Sequence, residues 1–171
     1  MGFDKNIHRR KSIRLQGYLY SQQGAYFVTI CTHQRQSLFG SVVDGVMTLN
    51  GVGEIVNTIW QELPRHYADI KLDEYVIMPN HFHGIVCINR AVEALLAAPE
   101  IQSSAPTLGA ILRRFKSMSA IAVNRCLNQQ GQHVWQRNYY EHIIRNEQAY
   151  QNIFEYIRTN PQKWHDDIYY T

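Results

Sequence analysis

Two histidines separated by one residue, His81-Phe82-His83, are the sharpest chemical signal in the chain. In an extended segment residues i and i+2 project to the same face, so both imidazoles would point one way and Phe82 the other. Two neutral imidazoles on one face can bind a divalent ion. Phe82, Val86 and Ile88 would anchor the strand by its opposite face, and Gly84 leaves room for a close neighbour. Two ligands leave such a site incomplete, so a third protein ligand is expected. By itself the tripeptide also reads as a pair of structural or surface histidines. The other six (His8, His33, His66, His133, His142 and His165) stand singly, with no partner at ligand spacing.

A second signal lies in the segment from Glu147 to Asn160. Ala149, Tyr150, Ile153, Phe154 and Ile157 form an apolar stripe at helical spacing. At about 100° per residue, Tyr156 falls to one side of that stripe, and Asn152 and Asn160 lie four residues from it in each direction. A tyrosine beside polar amides suits a site; it also suits a boundary position with its hydroxyl in water. Pro161 biases Asn160 away from the α region, which loosens its alignment with Tyr156.

The elements that must position these residues follow from the pattern. Tyr26 to Thr32, rich in β-branched and aromatic residues, reads as a buried strand. A weaker strand, Val46–Leu49, follows the Asp44-Gly45 turn. Asn50 caps a helix with Val52, Ile55, Val56, Ile59, Trp60 and Leu63 on one face, closed near Pro64. Leu72–Met78, the Pro79-Asn80 turn and His81–Ile88 form a hairpin. Residues 89–106 read as a surface linker. Thr107 caps a second helix with Leu108, Ile111, Leu112, Phe115, Met118 and Ala122 on one face. Val134–Gln136 and Tyr140–Ile144 read as short strands, and Asn146 caps a third helix that Pro161 stops. Hairpins mixed with crossing helices predict an α+β fold: a ferredoxin-like antiparallel sheet with helices on one face and a C-terminal helix carrying the tyrosine. Residues 1–24 read as a basic N-terminal arm and 25–171 as a single domain.

Composition agrees with one domain of 171 residues, 45% hydrophobic and 18% charged, with a formal net charge of +3. So small an excess permits a nucleic-acid partner without demanding one. Cys31, Cys87 and Cys126 form no CxxC pair and read as small core residues, which excludes a disulfide framework and a cysteine-rich zinc site. The first residues lack a signal-peptide core, and no apolar stretch approaches the ~18 residues of a membrane span. A soluble, cytoplasmic protein is the expectation.

Taken together, these residues resemble the REP-associated tyrosine transposases, a branch of the single-tyrosine HUH transposases, where HUH denotes two histidines flanking a bulky apolar residue. The matching stretches are YFVTICTHQR (26–35), YVIMPNHFHGIV (75–86), FKS (115–117) and the long block 135–164. The tripeptide is unspecific, but its combination with the C-terminal block is specific. The resemblance spans the chain from about Arg9 to Trp164.

The resemblance implies that His81 and His83 are metal ligands, Asn160 the third ligand and Tyr156 the nucleophile. The ion would be Mg²⁺ or Mn²⁺, held by a neutral ligand set that keeps its full charge. The partner would be single-stranded DNA with a hairpin, a REP-like palindrome, and the protein a monomer or homodimer. Arg9, Arg10, Lys11 and Arg14, with Arg113, Arg114, Lys116 and Arg137, would track phosphates, and Trp135, Tyr139 and Tyr140 are candidates for base stacking. Tyr156 would cleave and rejoin strands through a 5′-phosphotyrosine link. Glu155, Glu141 and a metal-bound water are the candidates for the base. Two other readings remain open at this point: a non-catalytic hairpin-DNA-binding protein, and a small metal-dependent hydrolase using water.

Overall fold

A computed structural model describes residues 23–89 and 106–170. Arg9, Arg10, Lys11, Arg14 and all but the ends of the 89–106 linker lie outside the described residues. The chain runs β1 (Gly24–Cys31), β2 (Gly40–Val43), β3 (Val46–Leu49), α1 (Gly51–Gln61), β4 (Ile70–Met78), β5 (His81–Ile88), α2 (Leu108–Cys126), β6 (Tyr140–Ile144) and α3 (Glu147–Thr159), ending in a 3₁₀ turn, Pro161–Asp166. The main sheet has the order β4-β5-β1-β6 and is antiparallel throughout. With α1 and α2 as its two crossovers, this is the βαββαβ arrangement of a ferredoxin-like fold, and the β2–β3 hairpin is inserted ahead of α1.

Local chemistry explains where the helices start. Asn50 Oδ1 accepts from the Val52 and Gly53 amides at 3.0 and 2.9 Å, Thr107 Oγ1 from Ala110 at 3.1 Å, and Asn146 Oδ1 from Ala149 at 2.8 Å. Each satisfies an amide that helix geometry leaves without a partner.

Alternation along the strands divides the sheet into two faces. Tyr26, Val28 and Ile30 of β1 and Phe82, Val86 and Ile88 of β5 join the core under α1 and α2. Trp60 sits at its centre, 4.4 Å from Phe82 and 5.0 Å from Phe115 by ring centroids. Burying a side chain of this size contributes about 2–3 kcal/mol, so this cluster is a main source of stability. Gly84 is required here, since a Cβ would stand 2.8 Å from the Phe82 ring and 3.0 Å from Trp60. The opposite face carries a smaller core in which Ile157 of α3 packs on Phe27 and Ile85. The sheet is therefore covered on both sides, with α1 and α2 on one face and α3 on the other.

Three expectations need correction. Val134–Gln136 forms no strand: Trp135 makes a single bridge to Thr32, is buried in the main core, and donates from Nε1 to Ser119 Oγ at 2.9 Å. A buried indole is not a surface for stacking bases. Cys126 is exposed at the end of α2 rather than a core residue. Strand β2 was not foreseen, although the Asp44-Gly45 turn ahead of β3 implies a partner strand on its other side. None of the described helices is long and apolar enough to cross a membrane.

Candidate active site

The α3 face of the sheet holds the two histidines. Register pairs His83 with Thr29 and His81 with Cys31, so both imidazoles emerge near the start of β5 beside the end of β1. Both are buried, His81 at 0% and His83 at 1% exposure, with ring centroids 4.5 Å apart. Helix α3 crosses this face and brings the Tyr156 hydroxyl to 3.2 Å from His83 Nε2. Tyr156 is 41% exposed although its hydroxyl turns inward, so the phenol stands at the rim of the pair, open to an incoming strand. Phe27 supports both: its ring stacks on His83 at 5.4 Å and meets Tyr156 edge-on at 6.0 Å.

Hydrogen bonds fix the orientation of the polar groups. Asn80 Nδ2 donates to the Tyr169 carbonyl at 2.7 Å, so its Oδ1 faces His81 Nδ1 at 2.9 Å and accepts from it. Burial pushes the His81 pKa down to about 4, against opposing pulls from Asp167 and Asn160. The ring is therefore neutral near pH 7, and with its proton on Nδ1 the lone pair sits on Nε2. Among the described residues, that buried atom has no hydrogen-bond partner. Asn160 is arranged in the same way. Its Nδ2 donates to Asp167 Oδ2 at 2.9 Å, which leaves Oδ1 buried and equally without a partner. Buried polar atoms are rarely left unpaired, and two unpaired acceptors in one place fit a bound cation.

His83 is held by Thr29 Oγ1 at 2.8 Å from Nδ1, and burial, then the His81 ring, holds its pKa well below the ordinary value. The Tyr156 pKa is pushed up to about 12, by burial first and by Asp167 and Tyr169 after it, with Asn160 acting the other way. Its phenol is protonated near pH 7.

Sequence reasoning missed Asp167. A carboxylate oxygen of this residue and one nitrogen from each of His81 and His83 all lie within 4.8 Å of one another. The 3₁₀ turn after α3, pinned by buried Trp164, leads the chain back over the histidines, and Tyr169 covers His81 at 4.6 Å. The expected neutral ligand set thus has an acidic neighbour. Thr29 and Asn80 also escaped notice, the first as an ordinary strand residue and the second as a turn residue.

The other expected site residues are distributed differently. Arg113, Arg114 and Lys116 belong to α2, across the sheet from the histidines. Lys116 Nζ donates to the Gln136 and Arg137 carbonyls at 2.6 and 2.9 Å, and Arg114 lies 3.1 Å from His66 Nδ1. Arg113 and Arg137 are exposed. Tyr140 is exposed and meets Phe27 edge-on at 6.3 Å, beside the site, whereas Tyr139 packs on the main core. Asn152 is exposed and bonded to Gln148, away from Asn160. Glu141 pairs with Val28, so it faces the α1–α2 side of the sheet, away from Tyr156.

Comparison with known proteins gives a fold and a family. The structure superposes with a TM-score of 0.60 on a REP-associated tyrosine transposase solved bound to a REP hairpin, at 18% sequence identity over 88% of this chain and 73% of that one. The fold is that of the REP-associated tyrosine transposases, the same family that the paired histidines and the C-terminal block resemble. An uncharacterized protein of Haemophilus influenzae is 40% identical over 98% of this chain and 97% of its own length. The chain belongs to the family of that protein. No protein-family model matches it.

Proposed function

We propose that the protein is a metal-dependent single-stranded DNA endonuclease and strand transferase that acts at DNA hairpins, with Tyr156 as nucleophile. The observation that carries this reading is the Tyr156 hydroxyl at 3.2 Å from His83 Nε2, in a site where His81 Nε2 and Asn160 Oδ1 are buried and unpartnered among the described residues. His81, His83 and Asn160 would hold a divalent ion, Mg²⁺ or Mn²⁺, since mixed nitrogen and oxygen donors without thiolate suit those ions. Such an ion supplies positive charge to a phosphodiester and favours the ionised phenol.

The chain's own residues do the rest. Thr29 and Asn80 hold the two imidazoles in register. Phe27 fixes the Tyr156 ring, which limits the hydroxyl to a small arc beside the histidines. The Tyr156 oxygen attacks phosphorus and forms an O–P bond, and the bond from phosphorus to the 3′-oxygen breaks. The proton lost by the phenol balances the one gained by the leaving 3′-hydroxyl. The products are a 5′-phosphotyrosine and a free 3′-end, and a 3′-hydroxyl attacking that link reverses the step. The ester bond is conserved, so no nucleotide cofactor is needed. Tyr140 at the rim is available to stack a base, and exposed Arg137 to meet phosphate.

Incubation with labelled single-stranded hairpin DNA and Mn²⁺, followed by denaturing electrophoresis, tests this. The expected result is a covalent protein–DNA adduct that disappears in Tyr156→Phe and in His81→Ala. Hairpin binding without cleavage would support a non-catalytic binder, and cleavage without an adduct would support a hydrolase.

A further inference from the structure

We infer that Asp167 is an additional, carboxylate ligand of this metal site. The inference rests on the metal-dependent reading above and goes beyond its neutral ligand set. Among the described residues, His81 Nε2 and Asn160 Oδ1 carry buried lone pairs with no partner, and a carboxylate oxygen of Asp167 shares a 4.8 Å cluster with ligand nitrogens of His81 and His83. The carboxylate is already oriented. Asp167 Oδ2 accepts from Asn160 Nδ2 at 2.9 Å, and Oδ1 accepts from the Tyr169 amide at 2.7 Å. An ionised carboxylate has about four acceptor positions, so two such bonds leave capacity for a cation. Arg35, on the same rim, gives Nη1 to the Ile168 carbonyl at 3.1 Å and lies over the Tyr169 ring rather than pairing with Asp167.

The chemistry is complementary. Two imidazoles and an amide oxygen are neutral donors, and a site of that kind holds a hard dication weakly. A carboxylate adds a negative charge and a hard oxygen, which are the donors that Mg²⁺ and Mn²⁺ prefer. The same bond that positions Asp167 also fixes which end of the Asn160 amide faces the histidines, so one residue both ligates and orients. Asp167 lies beyond the block 135–164 that carries the sequence resemblance, on the chain segment that returns over β5.

Titration of Mn²⁺ into the full-length chain, read by electron paramagnetic resonance of the free ion, tests the assignment without any activity measurement. The wild type binds Mn²⁺ and H81A loses that binding. D167N keeps the size and one acceptor oxygen but loses the charge, and binds at least about tenfold more weakly. D167E, which restores the charge, recovers most of the affinity. Circular dichroism and melting without metal check that each variant folds, and D167S replaces D167N should the latter not fold. A wild type that binds no Mn²⁺, or an H81A variant that binds it unchanged, overturns the metal-dependent reading itself. Mn²⁺ binding by D167N within twofold of wild type overturns the assignment of Asp167 alone.

Discussion

Acid should destabilise this protein through its histidine pair, and His81 allows the size of the effect to be worked out. The His81 pKa in the folded protein is about 4, lowered from its ordinary 6.5 by burial. The unfolded chain takes up a proton as pH falls through 6.5, whereas the folded protein resists until about 4. The stabilising contribution is therefore complete above pH 6.5 and is lost progressively as pH falls toward 4. At about 1.36 kcal/mol per pKa unit, the loss between pH 7.5 and pH 5 is about 2 kcal/mol. His83 acts in the same direction, but a charged His81 opposes its protonation, so the two effects do not simply double. Urea denaturation at several values between pH 7.5 and 5, without added metal, measures this for wild type and His81→Gln. Glutamine stays polar and does not titrate, and the surface carboxylates and the histidines outside the pair cancel in the difference. The wild type should lose about 2 kcal/mol more than the variant over that interval. Parallel stability curves would refute the claim that His81 is buried neutral.

Other consequences are independent of that pair. Gly84→Ala places a methyl 2.8 Å from Phe82 and 3.0 Å from Trp60, so it should cost about 1–3 kcal/mol in a denaturant melt. Ser119→Ala leaves the buried Trp135 indole N–H without its acceptor and should cost a similar amount, about 1–3 kcal/mol, by the same assay. Lys116→Met removes the ammonium that holds the Gln136 and Arg137 carbonyls, so it should lower stability by about 1 kcal/mol. The salt dependence of hairpin-DNA binding should stay the same in that variant, whereas Arg137→Ala should reduce its log–log slope by about 1.

Much of this molecule was legible because it rests on local rules. Asn50, Thr107 and Asn146 each stand one residue before a helix with an apolar period, and each caps the helix it announces. The alternation through His81-Phe82-His83 placed Phe82 in the aromatic core and both imidazoles on the other face. What escaped depends on contacts between distant parts of the chain. Asp167 carries no periodic signature, and it reaches the histidines only because the Pro161–Asp166 turn sends the chain back across β5. Lys116 looks like a free cation in a basic helix until the 136–137 backbone folds onto it. Trp135 lies in an apolar triplet that reads as a strand, yet a core-packed indole with one bridge to Thr32 leaves the same trace. The burial that holds both histidines neutral is likewise a property of the packed sheet and α3, not of the tripeptide.

The central claim is that Tyr156 becomes covalently joined to DNA, and mass spectrometry of the adduct tests it most directly. After reaction with a single-stranded hairpin substrate and Mn²⁺, nuclease trimming and trypsin digestion, the peptide 146–158 contains both Tyr150 and Tyr156. Tyr150 is held by Asp73 at 2.5 Å through its hydroxyl, which raises its pKa and disfavours it as a nucleophile. Fragmentation of that peptide should place the nucleotide mass on Tyr156. A nucleotide on Tyr150, Tyr139 or Tyr140, or cleaved DNA with no modified tyrosine, would contradict the account.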